Sequence, residues 1–117
     1  IRGMVMPEKT VFPTGPELEL QVGLVVYQAG GVIAPHRHPP ITRSISRTCE
    51  VTMVKKGRCE VDIYNDKRQI VATRELCAGD LVIFVNGGHG FRMLEDTVLL
   101  EVKQGPYHGA NEKESLS

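Results

Sequence analysis

The feature that most limits what this chain can fold into is a side-chain period of two, recurring in short runs with turn-forming residues between them. Leu18, Leu20, Val22, Leu24 and Val26 occupy alternate positions, with Glu19, Gln21 and Gly23 among the residues between them. Successive side chains of a strand point to opposite faces, so this spacing predicts a strand with one buried face. Comparable alternating or apolar runs fall near 31–35, 50–56, 58–65, 69–76, 81–85, 89–94 and 97–103. Lys56-Gly57, Asn65-Asp66, Ala78-Gly79-Asp80, Asn86-Gly87-Gly88 and Glu95-Asp96 punctuate them, and these residue types favour turns. No long stretch carries a helical stripe. Many short strands at this spacing make a sandwich or a barrel, so the fold class is expected to be all-β. The sharpest local signal is a hairpin over 50–65 that turns at Gly57, where glycine reaches positive φ without a steric penalty. Pro39 to Thr48 reads as a loop, and the polar stretch from Gly105 reads as a mobile tail.

A chain of 117 residues is expected to form a single domain spanning 1–117. Lysine and arginine number 14, as do aspartate and glutamate, so no global field attracts nucleic acid or an anionic membrane. The longest apolar runs, such as Leu81-Val82-Ile83-Phe84-Val85, are of strand length and too short to span a bilayer as a helix. Basic residues lack interleaved aromatics, which argues further against a nucleic-acid partner. Cys49, Cys59 and Cys77 are odd in number and widely spaced, unlike a disulfide framework or a paired-thiol zinc site. Cys59 alternates with Val61 and Ile63, as a small apolar side chain on a buried face would. Reduced thiols of this kind suit a cytoplasmic protein.

The chemistry gathers on three short segments. His36 and His38 are two apart, so in extended chain both imidazoles point to one side. Glu50 opens the next strand and shares its face with Thr52 and Val54. His89 follows a glycine turn, with Phe91 and Met93 on its side of a regular strand. Imidazole and carboxylate donors together suit a first-row transition metal.

These segments resemble the two sequence motifs of the cupin family. Gly30 is followed by five residues and His36, then His38, Glu50, six residues and Gly57. The second motif resembles Gly79-Asp80-Leu81-Val82-Ile83-Phe84-Val85-Asn86-Gly87-Gly88-His89-Gly90-Phe91. Eleven residues separate His38 from Glu50, a much longer gap than the family's, which reads as an inserted surface loop. Val85 stands where the family's turn carries proline, and the turn before His89 is shorter. The Val102–Tyr107 stretch also resembles the ending of some small bacterial cupins associated with surface-polysaccharide biosynthesis.

The resemblance implies a double-stranded β-helix, or jelly-roll, barrel with one divalent transition metal ion (Fe, Mn, Ni or Zn) on His36, His38, Glu50 and His89. An ion so held keeps open positions, an arrangement for chemistry rather than for structure. The expected function is a mononuclear metalloenzyme acting on a small anionic substrate, as a dioxygenase, decarboxylase or sugar isomerase. The alternatives are a non-catalytic metal-dependent module that binds or senses a small molecule such as a carbohydrate, and a structural barrel with a vestigial site. Arg43 and Arg47 in the inserted loop are candidate substrate-binding residues, because a guanidinium grips a carboxylate or phosphate in two-pronged fashion. The resemblance also implies a homodimer, with Leu18–Val26 and Met4-Val5-Met6 as candidate interface segments.

Overall fold

The fold is seen in a computed structural model that describes residues 1–116. Two compact units emerge: one joins Ile1–Val5 to the chain from Thr48 onward, the other is Met6–Arg47.

The first unit is all β apart from one 3-10 turn at Gly109–Glu112. Its strands are β1 (Glu50–Lys56), β2 (Arg58–Tyr64), β3 (Ile70–Cys77), β4 (Leu81–Phe84), β5 (Gly88–Met93) and β6 (Val98–Lys103). Every strand expected from residue 50 onward is present, with ends shifted by at most one residue. They form two three-stranded antiparallel sheets, ordered β4-β1-β6 and β3-β2-β5. Among the described residues no ladder joins the sheets edge to edge into a closed barrel.

The expected hairpin at Gly57 is not one. β1 pairs with β4 and β6, whereas β2 pairs with β3 and β5, so the chain changes sheets at this residue. A register shift between Val54 and Lys56 bends β1 just before the crossing, as a bulge does. Gly57 has φ +90°, and a Cβ there would strike the Asp96 carbonyl and approach Thr97 Oγ1 to 2.6 Å. Two backbones therefore meet where only hydrogen fits. The local pattern named a turn, but turn chemistry does not say which sheet the next strand joins. The one hairpin within a sheet is β2–β3. There Asn65 Oδ1 accepts from the backbone N–H of Lys67 (2.9 Å) and Gln69 (3.0 Å), an Asx turn.

The core lies between the sheets. Val54 and Phe84 come from one, Cys59, Val61 and Leu76 from the other, and Ile63, Val82, Phe91 and Leu99 pack against them. Cys59 is fully buried, and burial pushes its thiol pKa up, which fits a core residue rather than a nucleophile. Cys77 is exposed, but the hydrogen bond to neighbouring Asp80 raises its thiol as well. Met93, on the His89 side of its strand, is 52% exposed.

The return from β3 to β4 is organised by Asp80, only 3% exposed. Its carboxylate accepts from the N–H of Cys77 (3.0 Å) and Gly3 (2.8 Å) and from Arg2 Nη1 (2.8 Å). Its backbone carbonyl accepts from Val54 N at 2.9 Å, fastening the turn to β1. Burial alone would push this carboxyl up; the hydrogen bonds from Cys77, Gly3 and Arg2 outweigh it and hold the group well below the usual carboxylate range.

In the second unit, the strand expected over 18–26 is extended but unladdered. Leu20, Val22, Leu24 and Val26 are half-buried while Gln21, Gly23, Val25 and Tyr27 are exposed, so the period of two is physically expressed. Pairing, however, is a single bridge between Val11 and Leu24. Around that bridge, hydroxyls replace backbone partners: Val22 N donates to Thr14 Oγ1 (3.2 Å) and Val26 N to Thr10 Oγ1 (2.9 Å). Pro13 on the opposing segment has no N–H to give, which prevents the ladder from propagating. Residues 31–35, also expected as a strand, form none.

Two outcomes follow from these joints. Gly57→Ala is expected to cost at least about 2 kcal/mol, from left-handed strain plus the backbone collision; an unchanged urea midpoint would show that the crossing is loose. Asp80→Asn removes acceptor capacity from buried donors and should cost about 2 kcal/mol at neutral pH. Because the folded carboxyl titrates below its unfolded value of about 3.9, this contribution is complete above that value and fades as pH falls through the folded one. The stability gap between wild type and Asp80→Asn should therefore be full at pH 7 and shrink in acid below pH ~4. A gap independent of pH would contradict the ionised role.

Candidate functional site

The inner faces of the two sheets grade from apolar to polar along the strands. On β1 the inward residues run Val54, Thr52, Glu50, and on β6 their cross-strand partners run Leu99, Glu101, Lys103. On β5 the order is Met93, Phe91, His89, opposite Cys59, Val61 and Ile63 of β2. The Gly57 crossing stands at the apolar end. At the other, Asn86-Gly87 carries the chain from β4 to β5, with Gly87 at φ +77° against the Tyr64 carbonyl.

Glu50 and His89 meet at this polar end, with Nε2 of the imidazole 3.7 Å from Oε2 of the carboxylate. Their side chains are 15% and 27% exposed. Fully buried Thr52 reaches the other oxygen of Glu50, its Oγ1 lying 3.3 Å from Oε1. The His89 ring is stacked on Phe84, centroids 3.7 Å apart and planes 11° apart, and meets Phe91 edge-on at 5.9 Å. Both side chains are thus held from behind and open on one side. They line a cleft of about 1120 Å³, which Lys103, Arg68 and the tail residues Glu112–Leu116 also line. The tail is fastened there by an Arg68–Glu114 ion pair at 3.2 Å.

His36 and His38 belong to the second unit and are exposed. Their rings lie 5.2 Å apart, edge to face. His36 Nδ1 is 2.8 Å from the Ala34 carbonyl; a carbonyl only accepts, so Nδ1 carries the hydrogen. In the neutral ring this leaves the lone pair on Nε2, as a metal-binding histidine needs. Among the described residues, no group of three or more His, Cys, Asp or Glu side chains is placed to hold a metal ion. The four expected ligands therefore stand as two pairs, one in each unit. The Glu50–His89 pair passes a simple fit test: 3.7 Å is less than twice a metal–ligand bond of about 2.1 Å, so one ion can touch both atoms.

Of the two loop arginines, Arg47 is engaged, its Nε 3.2 Å from Glu19 Oε2, and Arg43 is exposed. Three contributors escaped the sequence reading as site residues. Thr52 shares the parity of Glu50 but carried no chemical signal of its own. Phe84 sits in a run apolar at both parities, so its inward face was not legible. Lys103 enters the site only through the β1–β6 register.

No protein-family model matches the chain, and neither curated proteins nor solved structures give a match. Among the described residues, no helix is long and apolar enough to cross a membrane.

The stacking generates a prediction. Phe84→Leu should cost about 1 kcal/mol beyond the lost area and release the His89 ring from the shielding face of Phe84. The His89 Cε1–H proton resonance should move downfield; an unshifted resonance would mean that the stack does not persist in solution.

Proposed function

We propose that the protein is a cupin-type jelly roll that holds one divalent transition metal ion through His36, His38, Glu50 and His89, and that it acts as a mononuclear metalloenzyme on a small anionic molecule. The observation that carries this reading is the Glu50–His89 pair, 3.7 Å apart, braced by Thr52 and Phe84 and open to a cleft. Neutral imidazoles with one carboxylate match iron, manganese, nickel or zinc. The hydrogen-bonded Nδ1 of His36 adds support, because it fixes the ring in the tautomer that ligates through Nε2. The proposal requires His36 and His38 to reach the Glu50–His89 pair; the long segment between His38 and Glu50 gives them the chain length to do so.

A bound ion would polarise an oxygen-bearing group of the substrate. The chain's own residues do the rest. Thr52 fixes the Glu50 carboxylate, Phe84 and Phe91 fix the plane of His89 and exclude water behind it, and the cleft admits the small molecule from the polar end.

Elemental analysis of protein purified with and without oxygen should find close to one equivalent of a first-row metal. Glu50→Ala should empty or weaken the site while the sandwich stays folded. Thr52→Val, which removes only the bracing hydroxyl, should lower metal affinity about 10- to 100-fold. No metal uptake by wild type, or full occupancy in Glu50→Ala, would refute the assignment.

A further inference from the structure

The cleft contains a cation that the metal reading does not use. Lys103 stands directly across from Glu50 in the β1–β6 ladder, and directly opposed residues of an antiparallel pair project to the same face. Its placement is firm, because the next residue, Gln104, accepts from Cys49 N at 2.5 Å and so clamps the end of β6 to the start of β1. Lys103 is half-buried and lines the same cleft as Glu50 and His89. Its ammonium lies near an aromatic face, Nζ being 5.6 Å from the centroid of the Tyr107 ring. Among the described residues it forms no ion pair within 4.0 Å, although carboxylates line the same cleft.

The other basic groups of the cleft differ from Lys103 in place or in pairing. Arg68 is paired with Glu114, and Lys113 belongs to the tail. A half-buried ammonium beside a strand-borne donor pair, held by a ring and not by a carboxylate, is suited to receive a negative charge from outside.

We propose that Lys103 is the anion-anchoring residue of this cleft and that the ligand class is a small monocarboxylate carrying a second oxygen donor, such as a 2-oxo or 2-hydroxy acid. The inference deepens the metal reading and rests on it for the role of the second oxygen. The preference for a single charge follows from the lining. Among the described residues five carboxylates and three basic side chains line the cleft, so before any metal charge is added it repels a dianionic phosphate more strongly than a singly charged carboxylate seated on one ammonium. The second oxygen follows from position: a carboxylate on Lys103 leaves the adjoining atoms of a short acid beside Glu50 and His89. This assignment moves the anion site from the loop arginines, one of which is already paired with Glu19, to the strand that faces Glu50.

The test uses pyruvate as probe, its neutral counterpart hydroxyacetone, and inorganic phosphate, each titrated by amide NMR shifts into zinc-loaded and metal-free full-length protein. Pyruvate should bind more tightly than either comparison. Lys103→Met should weaken pyruvate about tenfold or more, leave hydroxyacetone unchanged and leave zinc content unchanged, while Lys103→Arg should restore most of the affinity. Equal pyruvate binding by wild type and Lys103→Met, or none by wild type, overturns the proposal. A preference for phosphate overturns the ligand class. Failure of the metal reading looks different: zinc is not taken up, yet Lys103-dependent pyruvate binding to the metal-free protein would still uphold the anchor.

Discussion

The structure of the first unit depends on one close approach, the passage of the chain past Asp96 and Thr97 at Gly57. The strand before it is the middle strand of one sheet and the strand after it is the middle strand of the other. Every remaining strand of this unit pairs with one of those two. A side chain at Gly57 would separate the crossing from the β5–β6 turn, and with it the two central strands from which both sheets grow. Nearby, Asp80 binds the β3–β4 turn to the N-terminal residues and to Val54, so a second crossing is fastened at the same end. The sandwich is therefore closed and apolar where the crossings gather.

That closure explains where the chemistry lies. With Val54, Cys59, Leu76 and Leu99 filling the crossing end, polar inward residues are tolerable only toward the far end, where water reaches them. Glu50, Lys103 and His89 are inward positions at the opposite ends of β1, β6 and β5. The period of two delivers them to the same face as the core without a break in the pattern.

How much of this was legible follows from which forces are local. The strands from residue 50 onward could be placed within one residue, because alternation and turn chemistry are written in adjacent positions. Sheet membership was not legible, and Gly57 shows why: a glycine at positive φ serves a hairpin and a crossing equally well. The segment 18–26 fails in the opposite way. Its alternation is real, since burial follows it, but a strand needs a partner with donors, and Pro13 and the hydroxyls of Thr10 and Thr14 occupy that side. Glu50 and His89 could be named from spacing against a known motif, whereas Lys103 and Phe84 needed the register. Across 53 positions of sequence, nothing local tells Lys103 that it faces Glu50 rather than the outside; the β1–β6 register decides it.

The buried acids also sort themselves. Asp62 and Asp80 are each almost fully buried, and each has a permanent cation. Arg92 donates to Asp62, which also accepts from Thr73 Oγ1 at 2.6 Å, and these bonds hold its carboxyl below the ordinary range. Arg2 and two backbone N–H groups do the same for Asp80. A carboxylate taken out of water needs such partners, so these two belong to the architecture. Glu50 is less deeply buried, at 15% side-chain exposure, and has no arginine or lysine paired with it among the described residues: a hydroxyl at 3.3 Å and an imidazole at 3.7 Å are its neighbours. On the proposed reading, the positive charge that guanidinium groups supply to the two other acids would come to Glu50 with a bound metal ion.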